Sequence, residues 1–260
     1  MEDGYTAFKR YLYGETGIDL SLYKEEQMKR RLASLKNKYH ASSFDAFFRM
    51  MQQDPAIMAD CLDRLTINVT EFFRNKSRWD VLENELLPDL KKIRTGRLKV
   101  WSAACSTGEE PYSLSMLLSR HFGHDGYDIR ATDVDEKVLQ RARLGLYSER
   151  SLRTLAFGER HHYFHRQNEW YKIKPEWQKP IRFEKHNLLA DDFGKGYDLI
   201  VCRNVFIYFT EEAKRHLYRK FSQALKPGGL LFVGSTEQIF NASIYNLQAI
   251  RTFFYKKYEG

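Results

Sequence analysis

The chain of 260 residues is long enough for one large domain, or for one large and one small domain, and 43% of its residues are hydrophobic. No apolar run approaches the ~18 residues that a membrane-spanning helix needs, and the N-terminus does not begin as an export signal does, so we expect a cytoplasmic protein without membrane insertion. Three distant cysteines argue against a disulfide framework and a zinc site, and the net charge of +8 favours an acidic partner, which leaves nucleic acid, lipid and protein open.

Residues 1 to about 90 lack strand alternation, and their apolar residues recur at helical spacing. The second predicted helix is unusually basic around an apolar stripe. Its basic residues are Lys24, Lys29, Arg30, Arg31, Lys36 and Lys38. At roughly 100° per residue, Lys24, Arg31 and Lys38 fall along one flank of the stripe. This face is either simply solvated or docks an acidic partner, and helix chemistry alone does not decide between them.

Polar and apolar residues alternate irregularly in the segment 64–74, where Asn68, Thr70 and Arg74 interleave with aliphatic and aromatic side chains. Such mixing is typical of a loop whose polar atoms face a ligand while its apolar residues anchor it. A satisfied capping turn has a similar composition, so both interpretations stay open. The helix that follows is expected to end near Pro88.

A strand, a turn of small residues and a helix follow one another between residues 98 and 118. In a doubly wound sheet, the loop after the first strand lies at the crevice where ligands bind. Glu109 and Glu110 at this turn favour a cationic ligand, whereas a phosphate-binding loop offers bare N–H groups. Among nucleoside cofactors, S-adenosylmethionine carries a fixed positive charge. The alternative is that both acids only stabilise the first turn of the helix.

A second strand at 129–133 ends on Asp133, where a carboxylate can accept hydrogen bonds from both hydroxyls of a bound ribose. A capping role is the rival interpretation for this residue. Asp135 is better placed for that role, because it directly precedes the predicted helix 136–144.

Residues 147–180 interrupt the alternation of strand and helix and are interpreted as a small inserted β-subdomain. The insert contains His161, His162 and His165, but no cysteine or acid follows at ligand spacing, so we expect surface histidines and no metal.

The alternation of strand and helix then resumes and ends in an antiparallel pair. The predicted elements are strands 181–184 and 197–202, a helix 211–225, a turn 227–229, a strand 230–233, and final strands 247–250 and 252–258. The sequence therefore predicts an α/β fold. We expect a doubly wound, Rossmann-like, mostly parallel sheet with an antiparallel last strand, preceded by a helical domain.

Five motifs resemble those of the CheR family, the protein-glutamate O-methyltransferases that act on chemotaxis receptors. They are Asn68-x-Thr-x-Phe-Phe-Arg74, Ser106-Thr-Gly-Glu-Glu-Pro-Tyr-Ser113, Asp133-Val-Asp135, Asn187-Leu-Leu189 and Cys202-Arg-Asn-Val-Phe-Ile-Tyr-Phe209. The motifs occur in the family's order. The resemblance implies an N-terminal helical receptor-docking domain at 1–75 and a methyltransferase domain at 76–260.

The resemblance also implies a reaction. Members use S-adenosylmethionine, release S-adenosylhomocysteine and form methyl esters on glutamates of the cytoplasmic methylation helices of transmembrane chemoreceptors. By motif, the implied cofactor contacts are Asn68, Thr70, Arg74, Glu110, Asp133, Asn187, Leu188, Arg203 and Asn204. Arg74 and Tyr208 would lie closest to the transferred methyl group. Because the receptor helices are acidic, the resemblance favours docking as the role of the basic helix. We expect a monomer that binds no nucleic acid.

Two other functions compete with this interpretation. A nucleic-acid methyltransferase fits the positive charge and the 15% aromatic content. Such an enzyme would place a proline-containing polar tetrad or a nucleophilic cysteine after the fourth strand, and residues 203–208 offer neither. A non-catalytic receptor-binding module would lose cofactor-facing groups, and all of those named above are present.

The insert departs from the pattern of part of the family, in which this subdomain captures a C-terminal receptor pentapeptide as an edge strand beside a glycine-containing loop. Here no glycine occurs between Gly158 and Gly194, the predicted hairpin tip is 167–169, and Pro175 and Pro180 remove two backbone donors. We therefore expect the pentapeptide-independent type, in which the small sheet forms but binds no tether. The alternative is a different loop geometry that binds the same peptide.

Overall fold

The structure, a computed structural model, describes residues 4–66, 68–234 and 236–258. Within these ranges the N-terminal domain consists of α1 (Gly4–Thr16), α2 (Glu25–Lys38), α3 (Phe44–Gln53) and α4 (Pro55–Leu65). Their apolar faces share one core, in which Phe8, Leu32 and Phe47 are fully buried. The predicted helical layer is therefore confirmed. No helix in the described ranges is long and apolar enough to cross a membrane.

The ends of these helices have local chemical causes, with one exception. Side-chain oxygens of Ser43 and Asp54 cap α3 and α4, and Pro55 takes the first position of α4, where a helix needs no backbone donor. The exception is α2, because Lys24 at its start makes no capping bond. Its backbone N–H instead donates to the carbonyl of Tyr208 (2.8 Å), which ties the start of the basic helix to the other domain.

The second domain is built on a large sheet. The strands of the described chain are β1 (Leu98–Ala103), β2 (Tyr127–Asp133), β3 (Leu146–Ser148), β4 (Phe164–Gln167), β5 (Trp170–Ile173), β6 (Ile181–Lys185), β7 (Tyr197–Cys202), β8 (Leu225–Val233), β9 (Leu247–Arg251) and β10 (Phe254–Lys257). Seven of them form one sheet in the order β6-β2-β1-β7-β8-β10-β9. Neighbours are parallel as far as β8, and β10 is antiparallel to both β8 and β9. The predicted sheet is confirmed.

Helices cover both faces of this sheet. The helices of this domain are α5 (Lys76–Val81), α6 (Leu87–Ile93), α7 (Glu109–Phe122), α8 (Glu136–Leu144), α9 (Phe157–Tyr163), α10 (Pro175–Gln178) and α11 (Glu211–Ala224), of which α9 and α10 belong to the insert. Alternate residues of a strand enter different cores, with Val100 and Leu199 on the α7 face and Trp101 and Ile200 on the α11 face. A strand covered on both sides has no solvent face, which explains why β7 is almost entirely apolar.

The prediction that a helix ends near Pro88 is wrong, because the chain stays helical to Ile93. A π-helical segment, Leu82–Leu86, precedes the proline. In a regular α-helix the proline ring clashes with the carbonyl four residues earlier, and the wider π turn relieves that clash. Pro88 then lies in the first turn of α6, directly after this π turn.

The predicted turn at 227–229 lies within β8, which already begins at Leu225, and Gly228 adopts a left-handed φ of +70° there. The register of β8 against β7 shifts between Tyr197 and Leu199, so the proline and glycines occupy an irregular stretch of the strand. Proline is tolerated at such irregularities because no hydrogen bond between the strands requires a backbone N–H there. At Gly229, an added Cβ would lie 3.0 Å from the carbonyl oxygen of Tyr197, so the close approach of the two strands requires glycine.

The insert forms the small sheet that the sequence predicts, an antiparallel unit in the order β3-β5-β4. Its hairpin turns at Asn168, which has a left-handed φ of +56°. Tyr147 anchors the sheet to the large domain by donating to the carbonyl of Thr107 (2.8 Å). Pro175 begins α10 and Pro180 follows that helix, so the donors that they lack are not donors of the small sheet.

Candidate functional site

A cleft opens where the carboxyl ends of β1, β2, β6 and β7 meet the helical domain. It contains about 1270 Å³ of space free of protein atoms, solvent at its opening included. The structure brings every motif residue that the resemblance implicates to this cleft. They are Asn68, Thr70, Arg74, Glu110, Asp133, Asn187, Leu188, Arg203, Asn204 and Tyr208.

The loop after β1 is held in a constrained conformation beside the cleft. Ala104 and Ser106 have left-handed φ angles of +63° and +49°, and the backbone N–H of Ser106 donates to Asp133 Oδ2 (2.9 Å). At Gly108, with φ +98°, an added Cβ would lie 2.9 Å from the Tyr147 hydroxyl. Glycine is therefore required at position 108, because Ala142 and Tyr147 pack closely against this turn.

The two acids at the start of α7 have different environments. Glu110 lines the cleft, where its Oε1 accepts from Ser102 Oγ (2.8 Å) and its Oε2 lies 3.8 Å from Arg203 Nη1. Burial raises the pKa of Glu110 to about 7, and Arg203 and Ser102 only partly oppose this. Glu109 turns inward and accepts from Thr107 Oγ1 (2.6 Å). Since consecutive helical residues point about 100° apart, only one of the two carboxylates faces the cleft.

Asp133 ends β2 with both carboxylate oxygens directed by backbone donors. Oδ2 accepts from Ser106 N (2.9 Å) and Oδ1 from Asp135 N (3.1 Å). Burial raises the pKa of Asp133 to about 6, although these hydrogen bonds oppose the rise. Each carboxylate oxygen can accept a second hydrogen bond, which suits a vicinal diol. Asp135 caps α8 through Lys137 N (2.9 Å), as predicted, and also accepts from Asn68 Nδ2 (3.3 Å).

The two arginines at the cleft have different positions. Arg203 is buried, with its guanidinium carbon 4.7 Å from the Phe232 ring centroid, and its Nη2 donates to the carbonyl of Arg74 (2.8 Å). It thereby fastens the segment that carries Arg74 to the end of β7. The Arg74 side chain is half-buried at the cleft wall, where its Nη1 donates to the carbonyl of Val69 (2.9 Å).

Glu237, which sequence reasoning misses, holds the loop after β7. It is 5% exposed; its Oε2 accepts from the backbone N–H groups of Asn204 (2.8 Å) and Gly234 (3.0 Å), and its Oε1 accepts from Ile207 N (3.2 Å). These bonds stabilise Asn204 at a left-handed φ of +59° ahead of the short 3₁₀ turn Phe206–Tyr208. Its position just beyond the carboxyl end of a parallel strand is the available signal, since ligand sites gather there.

The loop after β6 connects the cleft to the helical domain. Asn187 Oδ1 accepts from Leu189 N (3.0 Å), which closes a tight turn, while its Nδ2 donates to the carbonyl of Gly17 (3.1 Å). Leu188 is buried beside them and lines the cleft.

The helical domain supplies one wall of the cleft through residues that precede α2. Ile18, Leu20 and Tyr23 line it, and the Tyr23 ring meets Phe209 edge-on at 5.1 Å. Burial, together with the nearby carboxylate of Asp133, raises the pKa of Tyr23. Sequence periodicity gives no signal for these residues because they lie between helices.

Arg31 departs from the solvent-facing flank on which its spacing places it. Its guanidinium carbon lies 4.9 Å from the ring centroid of Tyr208, and burial lowers its pKa. Arg30 and Lys24 remain exposed, while Lys38 pairs with Asp60 at 2.5 Å. A helical wheel assigns an angle to each residue but not the neighbour that packs against it, which is why the grouping of Arg31 with Lys24 and Lys38 is corrected.

Two family models cover nearly the whole chain. The all-alpha domain of CheR methyltransferases matches residues 3–66, and their SAM binding domain, where SAM is S-adenosylmethionine, matches residues 68–253. The chain belongs to the CheR methyltransferase family. Among CheR relatives, the chemotaxis protein methyltransferase of Listeria monocytogenes is 47% identical over 257 residues, which cover 99% of this chain and 98% of that protein. The Escherichia coli protein of the same name is 33% identical over 236 residues, covering 87% and 81%.

The electrostatics of the cleft suit the cofactor that this CheR domain binds. S-adenosylmethionine carries a sulfonium and an ammonium, and the carboxylates of Glu110 and Asp133 both face the cleft from the sheet. Pairing with a positive charge, or accepting hydrogen bonds, favours the ionised form of a carboxylate and opposes the burial that raises both pKa values. The residues present therefore fit the cofactor.

Proposed function

We propose that this CheR methyltransferase transfers a methyl group from S-adenosylmethionine to glutamate side chains on the cytoplasmic helices of chemoreceptors, forming methyl esters. The observation that carries the proposal is the meeting of Glu110 and Asp133, which suit a cationic nucleoside, with Arg74 and Tyr208 in one cleft. Arg74 and Tyr208 supply N–H and O–H donors suited to an incoming carboxylate. The names of the relatives support a substrate in chemotaxis, and we place the reaction in the cytoplasm.

Within this proposal the cofactor supplies an electrophilic methyl group on a sulfonium. Asp133 accepts hydrogen bonds from the ribose hydroxyls, and Glu110 pairs with the positively charged end. Asn68, Thr70, Asn187 and the remaining motif residues at the cleft complete the binding surface.

The reaction asks for little acid–base chemistry from the protein. A glutamate side chain has an ordinary pKa near ~4.3, so it is already an anion at neutral pH, and the leaving thioether is neutral. No proton has to move. The contribution of the protein is placement, which can remove up to ~7–11 kcal/mol of barrier when the reacting atoms are held in line.

Arg74 and Tyr208 are the residues we assign to that placement. Arg74 holds the incoming carboxylate, while its anchor on the Val69 carbonyl fixes the direction of the guanidinium. The Tyr208 hydroxyl directs the same oxygen or contacts the sulfonium region. Arg31 lies over the Tyr208 ring, and a cation on the ring face restrains the ring's orientation.

The helical domain, residues 1–75 in this proposal, docks the receptor through its basic helix. Lys24 and Arg30 are exposed at its start, while Lys29 and Lys36 lie near the rings of Tyr5 and Phe44. An acidic helical bundle complements this surface. Since exposed charges are screened by salt, activity on the receptor should fall as ionic strength rises.

The proposal is tested with methyl-labelled S-adenosylmethionine and a soluble cytoplasmic fragment of a chemoreceptor. Labelled methanol should be released on treatment with base, because glutamate methyl esters hydrolyse whereas methylated amines do not. A fragment with its methylation-helix glutamates changed to alanine is the control and should take up no label.

Other outcomes identify the rival functions. Label on DNA or RNA would indicate a nucleic-acid methyltransferase. Binding of S-adenosylhomocysteine and receptor without any transfer would indicate a non-catalytic module.

A further inference from the structure

A second groove adjoins the loop that carries Tyr208. Ile207 lines both the cofactor cleft and this groove, which runs between α11 and residues 236–246. Phe240 and the buried Tyr245 both line it. Phe240 is 79% exposed, and Ile244 in the same segment is 67% exposed. Two large apolar side chains this exposed in one short segment are typical of a protein contact surface.

Hydrogen bonds hold the segment 236–246 against the rest of the domain. Glu237 lies within it and binds the backbone of Asn204 and Ile207, as described above. The Tyr255 hydroxyl accepts from the backbone N–H of Ile239 (2.8 Å). The exposed side chains of Phe240 and Ile244 are therefore presented by a segment that also positions the active-site loop.

The rim of the groove carries positive charge. Lys24 and Arg215 line it, are exposed, and form no ion pair with any residue of the described ranges. Lys214 is neutralised by Glu211 at 2.7 Å. The remaining acid, Glu237, is buried and occupied by backbone donors. A groove that combines an exposed aromatic side chain, Phe240, with a basic rim suits a helix that has carboxylates beside an apolar stripe.

We propose that this groove seats the acidic receptor helix next to the glutamate that is methylated. The inference rests on the proposed function and adds a second contact surface to the basic helix. Two positions support it. Lys24 directly precedes α2 and also lines the groove, so the two surfaces are continuous. Ile207 neighbours Tyr208, so a helix along the groove passes the reaction centre.

Other occupants fit less well. A second copy of this chain would bring a molecule of net charge +8 to a basic rim. A nucleic acid would pair its phosphates with Lys24 and Arg215 but offers no apolar stripe for Phe240.

The test compares Arg215→Glu and Phe240→Ala with matched changes elsewhere. Each groove change should raise KM for the receptor fragment about tenfold, as expected for the loss of an interface anchor. The kcat value and the affinity for S-adenosylhomocysteine should stay at wild-type levels, and Arg215→Lys should retain the wild-type KM. The controls are Arg182→Glu, exposed on β6 at the far edge of the sheet, and Ile93→Ala, exposed at the end of α6 ahead of β1. Both should leave KM unchanged.

Binding of the receptor fragment without cofactor, measured by fluorescence anisotropy, separates this inference from the proposed function. If the groove variants and the control variants methylate the fragment with equal KM and bind it with equal affinity, the groove is not the docking site. The proposed function would remain intact. Equal losses from Arg215→Glu and Arg182→Glu would show a non-specific charge effect and overturn the inference. The inference would also be overturned if Arg215→Glu weakened binding of a DNA or RNA oligomer but left the affinity for the receptor fragment unchanged. Failure of the wild-type protein to methylate the fragment would refute the proposed function itself.

Discussion

Cofactor affinity should weaken as the pH falls below 7, because Glu110 must be ionised to pair with a cationic ligand. Burial raises the pKa of this carboxyl to about 7 in the free protein. Apparent affinity scales with the fraction of protein in the competent state, which is about 90% at pH 8 and about 9% at pH 6 for such a group. The dissociation constant should therefore rise about tenfold between pH 8 and pH 6. Asp133, with a pKa of about 6, is half protonated at pH 6 and adds about twofold.

The stability of the free protein should respond to pH in the opposite direction. The pKa of Glu110 lies above its ordinary value of 4.5, so between that value and about 7 the folded state binds more protons than the unfolded state. The contribution of this group to stability is then lost as pH rises through that window. Bound cofactor favours the ionised form and removes this loss. The thermal shift produced by S-adenosylhomocysteine should therefore grow from pH 6 to pH 8.

Calorimetric titration with S-adenosylhomocysteine, which keeps the ammonium, at pH 6, 7 and 8 and constant ionic strength measures the change in affinity. Thermal unfolding with and without this ligand at the same pH values measures the thermal shift. Glu110→Gln should bind more weakly at pH 8 and retain only the twofold pH dependence of Asp133. Glu109→Gln changes the neighbouring acid, which does not line the cleft, and should keep the wild-type pH dependence. A wild-type dissociation constant equal at pH 6 and pH 8 would refute the reasoning, as would a tenfold change that persists in Glu110→Gln.

Four further predictions follow from the site. Asp133→Ala should weaken binding of S-adenosylhomocysteine by ~1–3 kcal/mol, the cost of leaving buried polar partners unpaired, and unchanged calorimetric affinity would remove the ribose assignment. Tyr208→Phe should lower kcat more than cofactor affinity, because its proposed contacts form fully as the methyl group moves; equal losses would make it an ordinary binding residue. Arg30→Glu and Arg31→Glu should both raise KM for the receptor fragment, but only Arg31→Glu should also lower kcat, through its contact with the Tyr208 ring. Wild-type kcat in Arg31→Glu would show that this contact is without effect on turnover. A synthetic pentapeptide of the receptor-tether type should not bind the small sheet, and a dissociation constant in the low micromolar range would overturn that expectation.

The sequence by itself determines the elements whose causes are local. Continuous apolar character identifies β7 as a strand covered on both faces, and the position of Asp135 ahead of a helical pattern identifies its capping role. The carboxyl ends of parallel strands meet at one edge, so finding polar motifs directly after β1, β2, β6 and β7 is enough to place them in one cleft.

Only the tertiary structure decides the features that depend on which residue lies on the other side of a contact. The spacing in α2 gives the angle of Arg31 but not the Tyr208 ring beneath it, which lies far away in the chain. Local rules likewise end a helix at Pro88, whereas packing of the surrounding helix stabilises a π turn that accommodates the ring. Glu237 acquires its role only when β8 brings it to the backbone of the β7 loop. Periodicity specifies which way a helical side chain such as Arg31 points, while the folded chain alone determines which residues it contacts.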